Sequence, residues 1–155
     1  MKKIFIYTCF ILGVIFTIIS CEKDEDKAIL SDNPTPPVIT NPASGVTLVL
    51  TEENKSGVIM FNWKKADFGF KSASKYSVQI DPPNSVLNRK VTVNFSSTSN
   101  NSDTAIIKYS DLNAKLVGLK LPKNIENTLE VRIRAILEKT DTVYSDPIIM
   151  KVTLY

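Results

Sequence analysis

The sequence offers few side chains for acid–base or nucleophilic chemistry. It contains no histidine and only two cysteines, although histidine is the commonest general base and metal ligand in proteins. An enzyme made from the remaining residues would need paired carboxylates, as glycoside hydrolysis does. Glu52, Glu53 and Asp141 lie in predicted turns or loops, where no apolar pocket raises a carboxyl pKa. We therefore expect a non-enzymatic protein with no catalytic residue, no metal site and no cofactor.

Aromatic rings give a second kind of candidate site, because a flat exposed ring can stack on a sugar. Trp63 occupies an inward position of a predicted strand, so core packing is its expected role. Phe68 and Phe70 follow Trp63 in a loop and could form a weak carbohydrate-binding platform. The alternative is that they fold back as a lid over the core, which loop phenylalanines do more often. The sequence leaves both interpretations open.

Cys21 is the one cysteine placed for a covalent modification. Lys2 and Lys3 precede an apolar run at residues 4–19, which is typical of a signal peptide over residues 1–20. A retained membrane-spanning helix would need about 20 apolar residues. Ile18-Ile19-Ser20-Cys21 resembles the lipobox of bacterial lipoproteins. That resemblance implies cleavage before Cys21 and attachment of the chain to outer-membrane lipid through its sulfur.

Removal of this leader changes both the charge and the thiol content. Lys2 and Lys3 are lost with residues 1–20, so the net charge falls from +3 to +1. A nearly neutral surface exerts no long-range attraction on nucleic acid, and we expect no nucleic-acid partner. Cys9 is also lost and Cys21 would be acylated, so no disulfide is expected. The remaining length suits one domain that folds through its core alone.

Residues 21–43 are charged at first and then rich in proline, with Pro34, Pro36, Pro37 and Pro42. Such a stretch buries too little apolar surface to offset its ordering entropy, and it predicts an acylated, flexible tether. The charge block is either a solvated spacer or a signal. Lys23, Asp24 and Glu25 resemble the lysine-plus-acids export signal of bacterial surface lipoproteins, which implies display on the cell surface.

Beyond the tether, apolar residues recur with period two between short turn-forming segments. This pattern predicts seven strands and one domain over residues 44–155. The predicted strands cover residues 46–51, 58–64, 76–81, 90–95, 104–109, 129–137 and 148–154. The fold class is therefore all-β, an immunoglobulin-like or fibronectin type III-like antiparallel sandwich. Pro147 favours an edge position for the last strand.

One segment has helical spacing instead. Leu112, Leu116 and Leu119 lie on one helical face, Ser110 is a suitable N-cap, and Gly118 predicts the end. We expect a short helix that crosses between the two sheets.

Two short motifs lie on the predicted strands and their ends. Arg132 and Arg134 face outward from the strand at residues 129–137, and they could meet an acidic partner or pair with acids across the sheet. The triplets around Thr104 and Thr142, each an Asp followed by Thr and a small or branched apolar residue, resemble a bacterial O-glycosylation acceptor pattern. Both motifs are weak because they are so short.

Taken in order, a set of segments resembles the SusE family, the outer-membrane lipoproteins of the starch-utilisation system, and specifically its N-terminal immunoglobulin-like domain. The segments are Leu48-Val49-Leu50-Thr51, Phe61-Asn62-Trp63, Ala66-Asp67-Phe68-Gly69, Tyr76-Ser77-Val78-Gln79-Ile80-Asp81, Leu112-Asn113, Gly118-Leu119, Val131-Arg132-Ile133-Arg134-Ala135, Tyr144-Ser145-Asp146-Pro147-Ile148 and Val152-Thr153-Leu154-Tyr155.

The resemblance implies a companion of a TonB-dependent transporter and its glycan-binding lipoprotein, acting as spacer or docking module in starch or oligosaccharide uptake. The family's starch-binding modules lie C-terminal to this domain and the chain stops at Tyr155, so none of their binding residues is expected here. Two other functions remain open. One is direct carbohydrate binding through Phe68 and Phe70. The other is protein binding through an exposed strand edge, as in an adhesin or inhibitor.

Overall fold

The computed structural model describes residues 31–70, 73–83, 93–99, 101–137 and 141–155. Over these ranges the chain forms nine strands and one helix, which lies between the sixth and seventh strands. The strands are β1 (Val38–Asn41), β2 (Val46–Val49), β3 (Val58–Lys64), β4 (Lys75–Asp81), β5 (Val93–Ser96), β6 (Thr104–Lys108), β7 (Glu126–Leu137), β8 (Asp141–Tyr144) and β9 (Ile148–Thr153); the helix is α1 (Tyr109–Gly118).

The strands form two sheets whose inner faces share one core. The smaller sheet has the order β1-β3-β6, and the larger has the order β2-β9-β7-β4-β5, with β8 also paired to β7. Buried apolar residues from both sheets belong to one cluster. The predicted all-β sandwich of the immunoglobulin and fibronectin type III kind is therefore confirmed. A strand is present at each of the seven predicted positions, and β1 and β8 are two further strands that were not predicted.

The pairing differs from the prediction at the end of the chain. Strand β2 pairs with β9 in parallel, from Val46 opposite Met150 to Val49 opposite Thr153. The sheet is therefore not wholly antiparallel. Strand β9 also pairs with β7, so it is flanked on both sides and the edge position predicted from Pro147 is wrong. Pro147 precedes the first residue of β9, where its missing N–H costs no ladder hydrogen bond.

Strand β1 lies inside the segment predicted to be a flexible tether. Val38 pairs with Lys64, Ile39 pairs with Trp63, and Ile39 packs against the core. The prediction is therefore wrong for the part of the tether that contains β1. Prolines restrict the backbone to extended geometry, which also suits entry into a strand. The low apolar content of the stretch as a whole concealed Ile39, which is half-buried against the core. Residues 21–30 lie outside the described residues.

Helix α1 connects the two sheets as predicted, and it buries Leu112 and Leu116. Its start differs, because the N-cap is Lys108 and no side chain caps it. Instead, the N–H groups of Tyr109 and Ser110 donate to the carbonyls of Gly57 and Lys55. The turn between β2 and β3 thus satisfies two of the backbone donors at the start of the helix that have no partner within the helix. A Cβ atom at Gly57 would lie 2.8 Å from the Tyr109 ring, so this close approach requires glycine.

The C-terminus of the chain is tied to this helix. Asn113 is buried on α1, and its side chain forms two hydrogen bonds with the backbone of Tyr155. The Tyr155 N–H donates to Asn113 Oδ1 over 3.1 Å, and Asn113 Nδ2 donates to the Tyr155 carbonyl over 3.3 Å. A buried amide needs such partners. The helix therefore holds the end of the chain as well as covering the core.

Two aromatic rings meet at the centre of the core. Trp63 of β3 and Tyr76 of β4 come from opposite sheets, with ring centroids 5.6 Å apart. Although the Tyr76 ring is buried, its hydroxyl accepts a hydrogen bond from the Ala66 N–H over 3.1 Å. Desolvation by this burial raises the pKa of the Tyr76 phenol above its ordinary value, and the hydrogen bond from Ala66 opposes that shift.

This pKa shift predicts that the sandwich loses stability in alkali. A tyrosine in the unfolded chain ionises near pH 10, whereas Tyr76 in the folded protein holds its proton to higher pH. Between these two pKa values the unfolded state binds fewer protons, so the free energy of unfolding falls as pH rises above about 10. Tyr76→Phe should remove this contribution. Urea denaturation at about pH 8 and about pH 11 measures how far the free energy of unfolding falls with pH in the wild type and in Tyr76→Phe. An identical fall in the two proteins would contradict a raised pKa for Tyr76.

Candidate functional site

The predicted aromatic platform is absent. Phe68 is fully buried within the core, and Phe70 is half-buried and packs against it. A ring with no exposed surface cannot stack on a sugar, so the carbohydrate-binding prediction for Phe68 is wrong, and Phe70 alone is no platform. The alternative interpretation, a loop that folds back over the core, is what the structure shows.

Backbone hydrogen bonds hold that loop down. Thr35 and Asp67 exchange two of them, at 2.8 and 3.0 Å, and the Ser31 N–H donates to the Phe68 carbonyl over 2.9 Å. The Asp67 carboxylate accepts from the Gly69 N–H over 2.8 Å. Gly69 has φ of 88°, a conformation that favours glycine. Residues before β1 therefore cover this loop, an arrangement that no local signal around Phe68 could have revealed.

The remaining predicted site residues are scattered. Thr104 is half-buried in β6, where its hydroxyl accepts from Asn62 Nδ2 over 3.0 Å and donates to Asp103 Oδ1 over 3.2 Å. Thr142 is half-buried in β8, opposite Ile136. These two proposed O-glycosylation positions lie on different sheets. Cys21, Lys23, Asp24 and Glu25 lie outside the described residues.

The structure instead brings polar side chains together on the outer face of the larger sheet. Because inward positions of β4 and β7 are buried, the alternate positions face away from the core. Arg134 lies between Ser77 of β4 and Tyr144 of β8, and Arg132 lies opposite Gln79. All five side chains are half-buried. We call Ser77, Gln79, Arg132, Arg134 and Tyr144 the Arg134 face.

The two arginines of this face have different partners. Arg132 Nη2 lies 3.0 Å from Glu130 Oε2, and their side chains are 22% and 18% exposed. The acid therefore comes from the same strand, and the predicted pairing with acids across the sheet is wrong for Arg132. Arg134 has neither an ion pair nor a hydrogen bond among the described residues, and its Nε is buried without a partner. Glu130 neutralises one guanidinium, whereas none of the described acids neutralises the other.

Amide groups extend the face towards β5. Gln79 Nε2 donates to Asn94 Oδ1 over 2.8 Å, which orients both amides across the two strands. The Gln79 carbonyl oxygen can still accept a hydrogen bond, and the Asn94 amide can still donate one. Ser77, Gln79 and Tyr144 were not predicted from the sequence as members of this face. Alternation alone places Ser77 and Gln79 outward, but only the sheet order brings them beside Arg132 and Arg134.

Two other surface features lie elsewhere on the sandwich. Val58, Met60 and Ile106 form an apolar strip on the outer face of the smaller sheet, and they are 47%, 43% and 50% exposed. Met60 and Ile106 are direct cross-strand partners. A groove of about 310 Å³ lies between the segment that enters β1 and the turn before β9, with Pro36, Pro37 and Pro147 in its lining. Asp146 supplies the carboxylate in the lining of the groove.

Metal and membrane features can be stated for the described ranges. There, no group of three or more histidine, cysteine, aspartate or glutamate side chains is placed to hold a metal ion. Helix α1 has ten residues, and within the same ranges no helix has the length and hydrophobicity needed to span a membrane.

Three comparisons with known proteins bear on this arrangement. A family model described as SusE outer membrane protein matches residues 23–134. A search of curated proteins finds no match. Among solved structures, the chain is similar to the crystal structure of the chicken CNTN1 FN1–FN3 domains, with 13% identity and a TM-score of 0.42. That alignment covers 78% of this chain and 34% of the other, so this chain spans about a third of the length of that structure.

The burial of Phe68 predicts a structural effect of its removal. Phe68→Ala should lower the free energy of unfolding by about 3 to 5 kcal/mol, because it leaves a cavity in the core. Phe70→Ala is the matched control and should cost less, because Phe70 is half-buried. Chemical denaturation measures both. If Phe68→Ala instead leaves stability unchanged and abolishes retardation in a glycan affinity gel, the core assignment is wrong.

Proposed function

Because the chain belongs to the SusE outer membrane protein family, we propose that it is a non-catalytic accessory lipoprotein of a glycan-uptake system on the cell surface. In this proposal residues 1–20 are a signal peptide, Cys21 carries the lipid, and the sandwich acts as a spacer or docking module. The partners are a TonB-dependent transporter and its glycan-binding lipoprotein, and the glycan is starch or another oligosaccharide.

The extent of the family match supports this proposal most strongly. The match begins at residue 23, two positions after Cys21, and continues into the sandwich as far as Arg134 in β7. Similarity to outer-membrane proteins therefore includes the segment that would join the lipid to the domain, as well as the domain. A role that requires both anchorage and a folded body accounts for similarity over both parts.

The structure adds a mechanical argument. The chain passes from residues 31–35 into β1, which pairs with β3 at one edge of the smaller sheet. Thr35 and Asp67 add two further backbone hydrogen bonds just before that strand. A load transmitted from an anchored N-terminus would thus be carried by strand pairing, not by a single contact. Such an attachment suits a domain that is held at a distance from a membrane.

The direct carbohydrate-binding function predicted from Phe68 and Phe70 loses its main support, since Phe68 is fully buried. Protein binding through a strand edge keeps two candidate edges on the smaller sheet, β1 and β6. The apolar strip of Val58, Met60 and Ile106 lies beside them. The strand edges and the apolar strip could dock onto the proposed transporter. The docking function and the strand-edge function would then use the same surface.

Isolation of native complexes tests the proposed partners. Full-length protein captured by antibody from outer membranes in mild detergent should bring down a TonB-dependent transporter and a second lipoprotein, both identifiable by mass spectrometry. A Cys21→Ser variant is the control, because loss of the lipid should remove the protein from the membrane fraction. Recovery of the chain with a non-transporter protein alone would contradict the glycan-uptake role.

Protease treatment of intact cells tests the proposed display signal. Alanine at residues 23–25 should protect the domain from external protease, because the protein would be retained on the inner leaflet. Asp32→Ala, an exposed position outside the motif, is the matched control and should leave cleavage unchanged. Equal cleavage of both variants and the wild type would show that these three residues do not direct surface display.

A further inference from the structure

Arg134 is a partly buried cation that has no partner among the described residues. The guanidinium is half-buried in the middle of a strand. Among the described residues it has no hydrogen bond and no ion pair, and its Nε is buried without a partner. Removing a cation from water is costly unless it is paired or hydrogen-bonded. This cost is offset if the partner is a ligand.

The neighbourhood of Arg134 specifies the charge of that ligand. Its cross-strand neighbours are Ser77 and Tyr144, and Arg132 and Ile136 are its neighbours on the same face of β7. None of these four residues is an acid. Glu130 lies four residues away along the strand, about 13 Å at the rise of a strand, and it is paired with Arg132. Among the described residues the Arg134 charge is therefore left without a counter-charge, and this favours an anion as its partner.

The geometry of the groups favours a carboxylate on a polyhydroxylated molecule. A guanidinium presents a planar pair of N–H donors that matches a carboxylate. One row along the sheet, the Gln79 and Asn94 amides are held by their mutual hydrogen bond, which leaves the Gln79 carbonyl oxygen to accept from hydroxyl groups and the Asn94 NH2 group to donate to them. Ser77, the cross-strand partner of Arg134, adds a hydroxyl in the same row as the guanidinium. The face thus combines one anion-binding group with several hydroxyl-binding groups.

We propose that the Arg134 face binds an acidic sugar, with the uronate carboxylate on the Arg134 guanidinium and the sugar hydroxyls on Gln79 and Ser77. The choice of a sugar over another anion rests on the proposed role in glycan uptake. A protein surface is the less suitable occupant, because the arginine is recessed among half-buried neighbours and a small group reaches it more easily than a flat interface does. The ligand class is therefore acidic oligosaccharide, not neutral starch.

Calorimetric titration of the full-length chain in neutral detergent tests this inference. Oligogalacturonate should bind, and a malto-oligosaccharide of equal length should bind at least about tenfold more weakly, because it lacks the charged group. Arg134→Gln should weaken oligogalacturonate binding by about tenfold or more. Lys64→Gln, which removes a cation from the outer face of the other sheet, is the matched control and should have no effect. Added salt should weaken binding to the wild type.

Each other result overturns the proposal. Equal affinity for the neutral and acidic oligosaccharides, no binding of either, or full affinity in Arg134→Gln would each exclude the carboxylate contact. Binding of inorganic phosphate without binding of oligogalacturonate would exclude the sugar. Loss of the co-purified transporter in Arg134→Gln, with no acidic sugar bound, would assign the face to a protein.

A second variant covers the case in which Arg134→Gln fails to fold. Arg134→Lys keeps the charge but loses the planar pair of donors, so it should bind oligogalacturonate more weakly than the wild type while retaining its preference over the neutral oligosaccharide. Thermal melting of each variant reports whether it is folded. The proposed uptake role is tested separately, by isolation of the native membrane complexes. The acidic-sugar site and the uptake role can therefore fail independently of each other.

Discussion

Strand β7 imposes the constraint on which the larger sheet depends. It is twelve residues long and needs hydrogen-bonding partners along both edges. Strand β4 covers one edge from Lys75 to Asp81, but no single strand covers the other. Strand β9 pairs with the first half of β7 and β8 with the last four residues. Ser145 fills the gap, because its N–H donates to the Ile133 carbonyl and its hydroxyl accepts from the Ile133 N–H.

This break between β8 and β9 has consequences beyond backbone pairing. Strand β9 pairs with β7 only from Glu126 to Val131, and its other edge pairs in parallel with β2. The chain then ends where helix α1 can reach it, through the two hydrogen bonds between Asn113 and Tyr155. Two buried polar residues thus pair backbone groups that have no strand partner. Ser145 pairs those of Ile133, and Asn113 pairs those of Tyr155.

The two faces of the larger sheet serve different purposes. The inner face supplies the buried row from Leu129 to Leu137, against which the smaller sheet packs Phe61 and Trp63. The outer face carries the half-buried arginines and amides of the Arg134 face. The aromatic loop that the sequence suggested for sugars contributes instead to stability, because Phe68 completes the core beneath the residues that precede β1.

Alternation of side chains determined most of this fold from the sequence alone. Seven strands, their inward rows and the helix between the sheets follow from period-two and helical spacing, because burial acts on each element separately. Burial of Phe68, the parallel pairing of β2 with β9 and the grouping of Ser77 with Arg134 were decided by tertiary structure. Each of them requires residues far apart in the chain to become neighbours. Local patterns specify which way a side chain faces, whereas only the order of strands in a sheet specifies what stands beside it.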